Sequence, residues 1–533
     1  MKNKLKQYKN YFINLIFPAL IFGSITGILT SVIVTLFKLC AKFVVNVSGK
    51  GYEFMKEHLY LLPIIIIVLF GIAFILAIVY EKHKNLRGGG IPTSIAILRG
   101  IVTFKWLRNV VGIFLLSLVS FLIGVPLGTE GPSVQIGTSL GRGSVSILAK
   151  KHKAWDRYSM TGGACAGFSV ATGAPISGIM FAIEEAHQRI SPMIVIVASA
   201  SVLFSRITSE LLASIPFIGE NVEIELFSGL ENMPKLMLKD VWIAIVIGLV
   251  VGIFAVLFLY YYKAIYVLFN KVLIKVPRYV RIFITLMLTV IFGAISLDFI
   301  STGHHLTGEL LLNSEKAIVM LIFILLVRST LTLLASSNSI TGGLFLPIMS
   351  LGAVLAAIIG KVSMSLGVSE EYYTIIVALG ITACISGMMK TPLTAIFFAV
   401  EALSCYNNIV YIVIVSSVAF IITEICNVKS INDNVIETRV EEMHGKREPK
   451  IVEASVTVQG NAFAIGKQIR DILWPAGLTV LSVTRDKSNE NEADMYGGKA
   501  ILEGDILNIR YSTTDEYQTL SELYEIVGDQ NAS

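Results

Sequence analysis

The sequence predicts an all-α polytopic membrane protein, built as two related halves with broken helices and followed by a small soluble α+β domain. Three observations carry that prediction: an apolar composition organised in long runs, an internal repeat, and an abrupt change of character near Asn427. Of 533 residues, 54% are hydrophobic and 15% charged, outside the usual make-up of a soluble globular chain. Uncharged apolar stretches recur at 11–37, 59–80, 110–128, 241–262, 282–297, 339–360, 372–389 and 409–422. Several exceed the ~20 helical residues needed to cross the hydrocarbon core, and others are shorter, Gly-rich or Pro-interrupted. Broken helices of this kind are tolerated at membrane depth only where protein or a water-filled cavity satisfies the exposed backbone.

The first ten residues, MKNKLKQYKN, carry four lysines, and the apolar run behind them is too long for a signal peptide and lacks its small-residue cleavage site. This is read as a retained span entering from the cytoplasm. The five cysteines (Cys40, Cys165, Cys384, Cys405 and Cys426) lie in or at the ends of apolar segments without metal-ligand spacing, so free thiols are expected. The net charge of +5 is small for this length, and no basic stripe with interleaved aromatics marks a nucleic-acid surface.

From Val428 onward charges are frequent and long apolar runs vanish. The reading is a membrane domain over 1–427, a polar connector over 428–449 and a soluble domain over 450–533. In that last part strand-like pieces at 451–458, 478–484 and 506–511 alternate with helix-like ones at 464–473 and 515–527.

The internal repeat is the most informative feature of the membrane part. Pro175, Phe181 and Glu184 in one half are echoed by Pro392, Phe398 and Glu401 in the other, the Phe six and the Glu nine residues after the Pro in both. Gly128-Thr-Glu-Gly-Pro132 and Gly343-Leu-Phe-Leu-Pro347 precede those prolines by 43 and 45 residues. Repeated halves with Gly/Pro-interrupted segments in matching places point to a transport site near the bilayer midplane, where the breaks are expected to converge.

The chemistry of the breaks indicates an anion. Gly88-Gly-Gly-Ile-Pro92, Gly128 to Pro132 and Gly343 to Pro347 each put flexible backbone just before a helix-competent run, with Pro near the first helical position. A helix N-terminus offers unpaired N–H donors and partial positive charge, so several aimed at one point bind an anion without a full cation. Omitting Lys and Arg also keeps the ion from being held too tightly to leave.

These motifs resemble the CLC family of chloride channels and chloride/proton antiporters, over approximately Ile16 to Asn427. The three family motifs read here as GGGIP (88–92), GTEGP (128–132) and GLFLP (343–347), with Tyr406 placed like the family's pore tyrosine. The resemblance implies the CLC fold of inverted halves and an anion site formed by Gly89, Gly90, Ile91, Glu130, Gly131, Leu344, Phe345 and Tyr406. It also implies that Glu130 is the gating glutamate, and that Glu185 is the internal proton-transfer residue. On physical grounds alone, a carboxylate beside an intramembrane anion site is costly and functional by default, the competing reading of Glu130 being a cap on its own helix. For Glu185 the competing reading is a solvated charge at a helix end, for Tyr406 a member of the interfacial aromatic belt. Glu184 is read as structural. The sequence departs from the family at Gly89, where a serine hydroxyl is usual, and at Thr129, where an Arg is usual. Chloride selectivity is thereby opened to fluoride or nitrate.

The tail resembles the TrkA-C (RCK_C) domain over 464–478 and 502–507. Such domains dimerise and in some bacterial proteins bind cyclic di-AMP at the dimer interface. Trp474, Pro475, Leu478 and Val480 would cover such a ligand, the alternative being a dimer module without one. No dinucleotide or P-loop motif occurs in the tail.

The expected function is chloride/proton antiport by a homodimer in a bacterial cell membrane, with both termini cytoplasmic, no cofactor and no enzymatic activity. A passive anion channel of the same fold and a membrane sensor acting through its tail are the alternatives.

Overall fold

The computed structural model describes residues 12–528 apart from 89, 149–152, 223–224, 228–229, 231–232, 313–314, 445–449, 476, 486–499 and 514–515. The first half contains α1 (Phe17–Glu57), α2 (Leu62–Lys82), α3 (Ile91–Leu98), α4 (Trp106–Ile123), α5 (Glu130–Leu148), α6 (Asp156–Thr172), α7 (Pro175–Phe181) and α8 (Pro192–Ala213). The second contains α9 (Val241–Val267), α10 (Arg278–Ile295), α11 (His304–Leu312), α12 (Ile318–Ser337), α13 (Phe345–Ser365), α14 (Tyr373–Met389), α15 (Pro392–Ala402) and α16 (Ile409–Ile425). Ten helices among the described residues are long and apolar enough to cross a membrane. The chain is a multi-pass membrane protein.

Two of those ten, α8 and α12, fall outside the uncharged runs, because Arg206 and Glu210 interrupt one and Arg328 the other. Arg328 is buried, and its guanidinium donates to the carbonyls of Asp298 (3.0 Å), Ile300 (2.7 Å) and Ser301 (3.3 Å). Its charge stitches the segment after α10 to α12 instead of excluding α12 from lipid.

The repeat is a repeat of backbone geometry. Two residues before Pro175 and Pro392 the chain turns left-handed, at Gly173 (φ 71°) in one half and Lys390 (φ 59°) in the other, ending α6 and α14. Each proline then sits in the first turn of the short helix that follows, where its missing N–H costs nothing. The helices α7 and α15 pack against each other, and the carboxylate at the end of each caps the start of the other. Glu401 accepts from the amides of Ile176 (2.8 Å) and Ser177 (2.9 Å), and Glu184 from those of Leu393 (2.9 Å) and Thr394 (2.8 Å).

Within 428–449, read as a polar connector, the chain forms α17 (Ile431–His444). Its start is fixed by Ser430, whose Oγ accepts from the Asp433 amide (3.0 Å). The tail is a three-stranded antiparallel sheet, β1 (Lys450–Thr457), β2 (Leu478–Thr484) and β3 (Ile506–Thr513), in the order β1-β3-β2, covered by α18 (Glu516–Val527). The helix expected over 464–473 is not formed: the segment is a series of turns with Gly466 at φ 76° and one 3-10 turn at Ile469–Asp471. Its apolar residues are used in a different way. Ala464, Ile472 and Trp474 enter the core of the tail, while Leu473 joins Trp155, Tyr158 and Ala19 of the membrane part.

The tail is latched to the N-terminal end of α6. Arg157 donates to the Trp474 carbonyl (2.7 Å) and pairs with Glu522 (2.5 Å). The Tyr158 hydroxyl donates to the Asp471 carbonyl (2.5 Å) and accepts from the Leu473 amide (2.9 Å), and Arg189 donates to the Ile472 carbonyl (2.8 Å).

Candidate functional site

The three glycine-rich breaks meet. Gly128 and Gly343 form an antiparallel pair, each N–H donating to the other's carbonyl at 2.8 Å, so the start of α5 and the start of α13 are joined backbone to backbone. The third break is bound to the same place, Gly88 N–H donating to the Ser339 carbonyl (2.6 Å) and Gly342 N–H to that of Gly88 (3.0 Å). No side chain fits between these strands. A Cβ on Gly131 would stand 2.6 Å from the Gly343 Cα and 3.0 Å from the Gly90 Cα. Glycine is used here for close approach of three backbones, which sets the N-terminal ends of α3, α5 and α13 around one point.

Glu130 opens α5 and is 0% exposed. Its Oε1 accepts from the Thr129 hydroxyl (3.1 Å), and Oε2 has no hydrogen-bond partner among the described residues. That oxygen lies against Gly128, where an added Cβ would be 2.5 Å from it and 2.7 Å from the Leu346 Cβ. The carboxylate therefore occupies the donor end of its own helix, beside the start of α13, as an arriving anion would. Among the described residues Lys38 of α1 brings positive charge toward it, with Nζ donating to the Val170 carbonyl (3.1 Å). Sequence reasoning, finding Thr129 where a cation is usual, missed this remote one.

Leu344 is the N-cap of α13 and Phe345 its first residue, both buried at the junction with Gly131, and Ile91 is the first residue of α3. The Phe345 ring lies edge-on to Phe168 (5.1 Å) and Phe398 (5.3 Å), and Phe168 stacks on Phe181 (5.8 Å). The two repeat phenylalanines thus form one buried aromatic row with the motif residue between the halves.

One expected donor already has a partner, and another is exposed. The Gly90 N–H is engaged by Gln135 Oε1 (2.8 Å), whose Nε2 in turn donates to Asn109 Oδ1 (3.2 Å), so this amide is held by side chains of α5 and α4. Tyr406 is 56% exposed on a 3-10 turn packed on α15 and α16. Helix α15 starts beside Glu184, and its eleven residues carry Tyr406 away from that end. Gly89 lies outside the described residues.

Glu185, buried on a π-helical turn at Ala182–Ala186, borders a cavity of about 320 Å3 lined also by Arg99, Glu184, Lys390, Glu424, Asn432 and Asp433. Arg99, at the end of α3, donates to the carbonyls of Glu185 (3.0 Å) and Ala186 (3.2 Å) and pairs with Asp433 (3.5 Å). The Asn432 amide donates to the Glu185 carboxylate. Neither Asn432 nor Gln135 was anticipated. The pattern Ser430-Ile-Asn-Asp433, a cap followed by an acidic residue three on, was the available signal for the helix start that carries Asn432.

In the tail, Trp474 is buried in the core with Nε1 donating to the Ile469 carbonyl (3.0 Å), and Pro475 is buried beside it. Leu478 and Val480 are half-buried on the edge strand β2. Within one chain the four residues therefore do not form a single open face.

Residues 71–424 match the family model described as Voltage gated chloride channel. The H(+)/Cl(-) exchange transporter ClcA of Vibrio vulnificus (strain YJ016) is 25% identical over 435 residues, covering 79% of this chain and 90% of that protein. The protein of the same name from Salmonella arizonae (strain ATCC BAA-731 / CDC346-86 / RSK2980) is 25% identical over 414 residues, 74% and 83% of the two chains. Among solved structures, a slow cyanobacterial Cl-/H+ antiporter superposes with TM-score 0.66 at 21% identity, over 80% of this chain and 98% of that one. A CLC-type fluoride/proton antiporter superposes with TM-score 0.63 at 20% identity, over 76% and 95%.

Proposed function

Because the chain belongs to the voltage gated chloride channel family, we propose that it exchanges chloride for protons across the membrane. The observation that carries this reading is a pair of buried carboxylates, one at the glycine junction and one on the cavity. Glu130 stands where three helix N-termini meet, and Glu185 borders the cavity beside Asn432 and Arg99. An ionised Glu130 competes with the anion for the same donors, and on protonation it leaves them free. Glu185 carries protons between that point and the face bearing the tail, which is read as cytoplasmic. The donors offered to the anion are the amides of Ile91, Gly131, Leu344 and Phe345. The Gly90 amide is omitted because Gln135 already engages it, and Tyr406 because its side chain is exposed. With backbone in place of a serine hydroxyl at Gly89, nitrate and fluoride are tested beside chloride.

The relatives named as exchange transporters favour antiport over passive conduction, and so does Glu185, which a channel does not need. Reversal potentials of the purified protein in lipid under crossed anion and pH gradients test this directly. A reversal potential that ignores the pH gradient makes the protein a channel. The proposed assembly is a homodimer in a bacterial membrane with one pathway per subunit.

For the tail, the reading is a TrkA-C-type dimer module that biases transport, with cyclic di-AMP as its candidate ligand. The four residues Trp474, Pro475, Leu478 and Val480 would serve it only across a dimer interface, with β2 as the contributing edge. Calorimetric titration of the full-length protein with cyclic di-AMP, beside a chain truncated after Glu448, tests the ligand. An absence of saturation in the full-length protein leaves only the dimer module.

A further inference from the structure

Asn432 is 1% exposed, and its two amide atoms are in different situations. Nδ2 donates to Glu185 Oε1, whereas Oδ1 is buried without a hydrogen-bond partner among the described residues. A buried carbonyl left unpaired carries the full cost of its desolvation, so its persistence at this place calls for a use. The supporting structure is held by side-chain hydrogen bonds. Ser430 caps the first turn of α17 from both directions with Asp433, and Asn434 Nδ2 donates to the carbonyls of Lys429 (3.0 Å) and Ser430 (2.9 Å). Arg99 holds the backbone of Glu185 and the side chain of Asp433 together, so the helix carrying Asn432 and the turn carrying Glu185 are fixed relative to each other.

We propose that Asn432 is a positioning residue for proton transfer at Glu185, its amide serving the carboxyl group in both protonation states. To the ionised form it donates from Nδ2, as in the structure. When Glu185 takes up a proton, the new O–H donates to Oδ1, which has no other partner among the described residues. No bond other than hydrogen bonds forms or breaks at Asn432, and the proton stays on Glu185 until it moves on. An amide is suited to this because it offers both functions and does not itself titrate. A carboxylate there would add a like charge, and an aliphatic side chain would strand each form in turn. The proposal rests on the reading of Glu185 as a proton carrier.

The test compares wild type, Glu185→Gln, Asn432→Leu and Asn432→Asp in liposomes, recording proton and chloride fluxes between pH 4.5 and 8. The charged groups facing Glu185 are Arg99, Glu184 and Asp433, with Lys390, Glu424 and Lys429 across the cavity, and all are retained in each variant. Asn432→Leu is expected to lower proton flux roughly tenfold, the loss of one hydrogen bond to a charged group, and to reduce chloride flux less. Asn432→Asp keeps the side-chain shape and is expected to move the pH profile of proton flux upward by about one unit, because the second carboxylate repels the first. The proposal is overturned if both Asn432 variants keep the wild-type proton-to-chloride ratio and pH profile while Glu185→Gln abolishes proton movement. Wild-type proton movement in Glu185→Gln instead removes the proton-carrier reading itself, and the role of Asn432 with it.

Discussion

Glu184 and Glu401 cap each other's helices. Glu401 lies in the last turn of α15 and Glu184 on the π-helical turn that continues α7, and each carboxylate accepts two backbone amides at the start of the other helix, at 2.8–2.9 Å. The repeat spacing of nine residues from Pro to Glu is thereby explained: it is the length of helix that brings the carboxylate level with its partner's free N–H groups. An anion at a helix N-terminus in a partly buried setting contributes up to about 2 kcal/mol. Glu184→Gln and Glu401→Gln each remove the charge and turn one acceptor into a donor. Both are expected to lower stability by about 1–2 kcal/mol, read as a lower unfolding midpoint by fluorimetry in detergent. Thr394→Val, which removes the hydroxyl bond to Glu184 (2.8 Å), should cost less, about 0.5–1.5 kcal/mol. Unchanged midpoints in both glutamine variants would show the caps to be incidental.

The glycine junction makes a sharper prediction. At Gly131 and Gly343 an added Cβ meets backbone atoms at 2.6 Å, and no rotamer change relieves a backbone clash. Gly131→Ala and Gly343→Ala should abolish chloride flux and reduce the yield of monodisperse protein. Gly71→Ala is the control, since nothing lies within 4 Å of its added Cβ inside α2. It should be neutral or gain up to about 1 kcal/mol from helix propensity. Normal transport by Gly131→Ala would mean that the breaks do not close in the way described.

Substitution of Glu130 separates its two competing readings. Glu130→Gln imitates the protonated side chain, so under antiport it should end proton movement while chloride continues to pass. A carboxylate acting only as a helix cap would give the opposite pattern, weaker folding with coupling intact. Uphill proton transport driven by a chloride gradient in this variant would exclude Glu130 from the proton path.

What the sequence made legible was local and repeated. The motif breaks, the helix-starting prolines and the matched glutamates are short patterns whose physical meaning does not depend on the rest of the chain. Spans carrying a charge were not legible from uncharged runs alone: Arg328 interrupts α12, although its mean hydropathy of 2.5 still marks a span, and only the fold shows the three carbonyls that receive the guanidinium. The exposure of Tyr406 was not legible either, since a tyrosine at the end of an apolar segment says nothing about how far its turn is covered. Asn432 and Gln135 are polar residues in unremarkable surroundings, and they matter through partners 247 and 45 residues away. In the tail, 464–473 has apolar spacing compatible with a helix, but Leu473 and Ile472 face different cores, which a turn segment satisfies and a helix does not.

The latch between tail and membrane part should respond to pH through Asp471. The residue is 1% exposed, neither carboxylate oxygen has a hydrogen-bond partner among the described residues, and burial pushes its pKa above the ordinary carboxylate range. The docked tail therefore binds a proton at Asp471 more tightly than an undocked tail does. Docking is favoured at low pH, and this contribution is lost as pH rises from the ordinary carboxylate value through the raised one. Lys467 is pushed down to about 8 by burial, so its titration falls above that window. Hydrogen exchange of the amides at 471–474, which include the Leu473 N–H bonded to Tyr158, reads docking directly. Protection should fall between about pH 4 and neutrality in the wild type. Asp471→Asn keeps the shape without the charge and should be flat over the same range and more protected at pH 7. Arg157→Ala, which removes the bonds to Trp474 and Glu522, should lower protection at every pH without changing its slope. A wild-type slope that survives in Asp471→Asn would assign the pH response to another group.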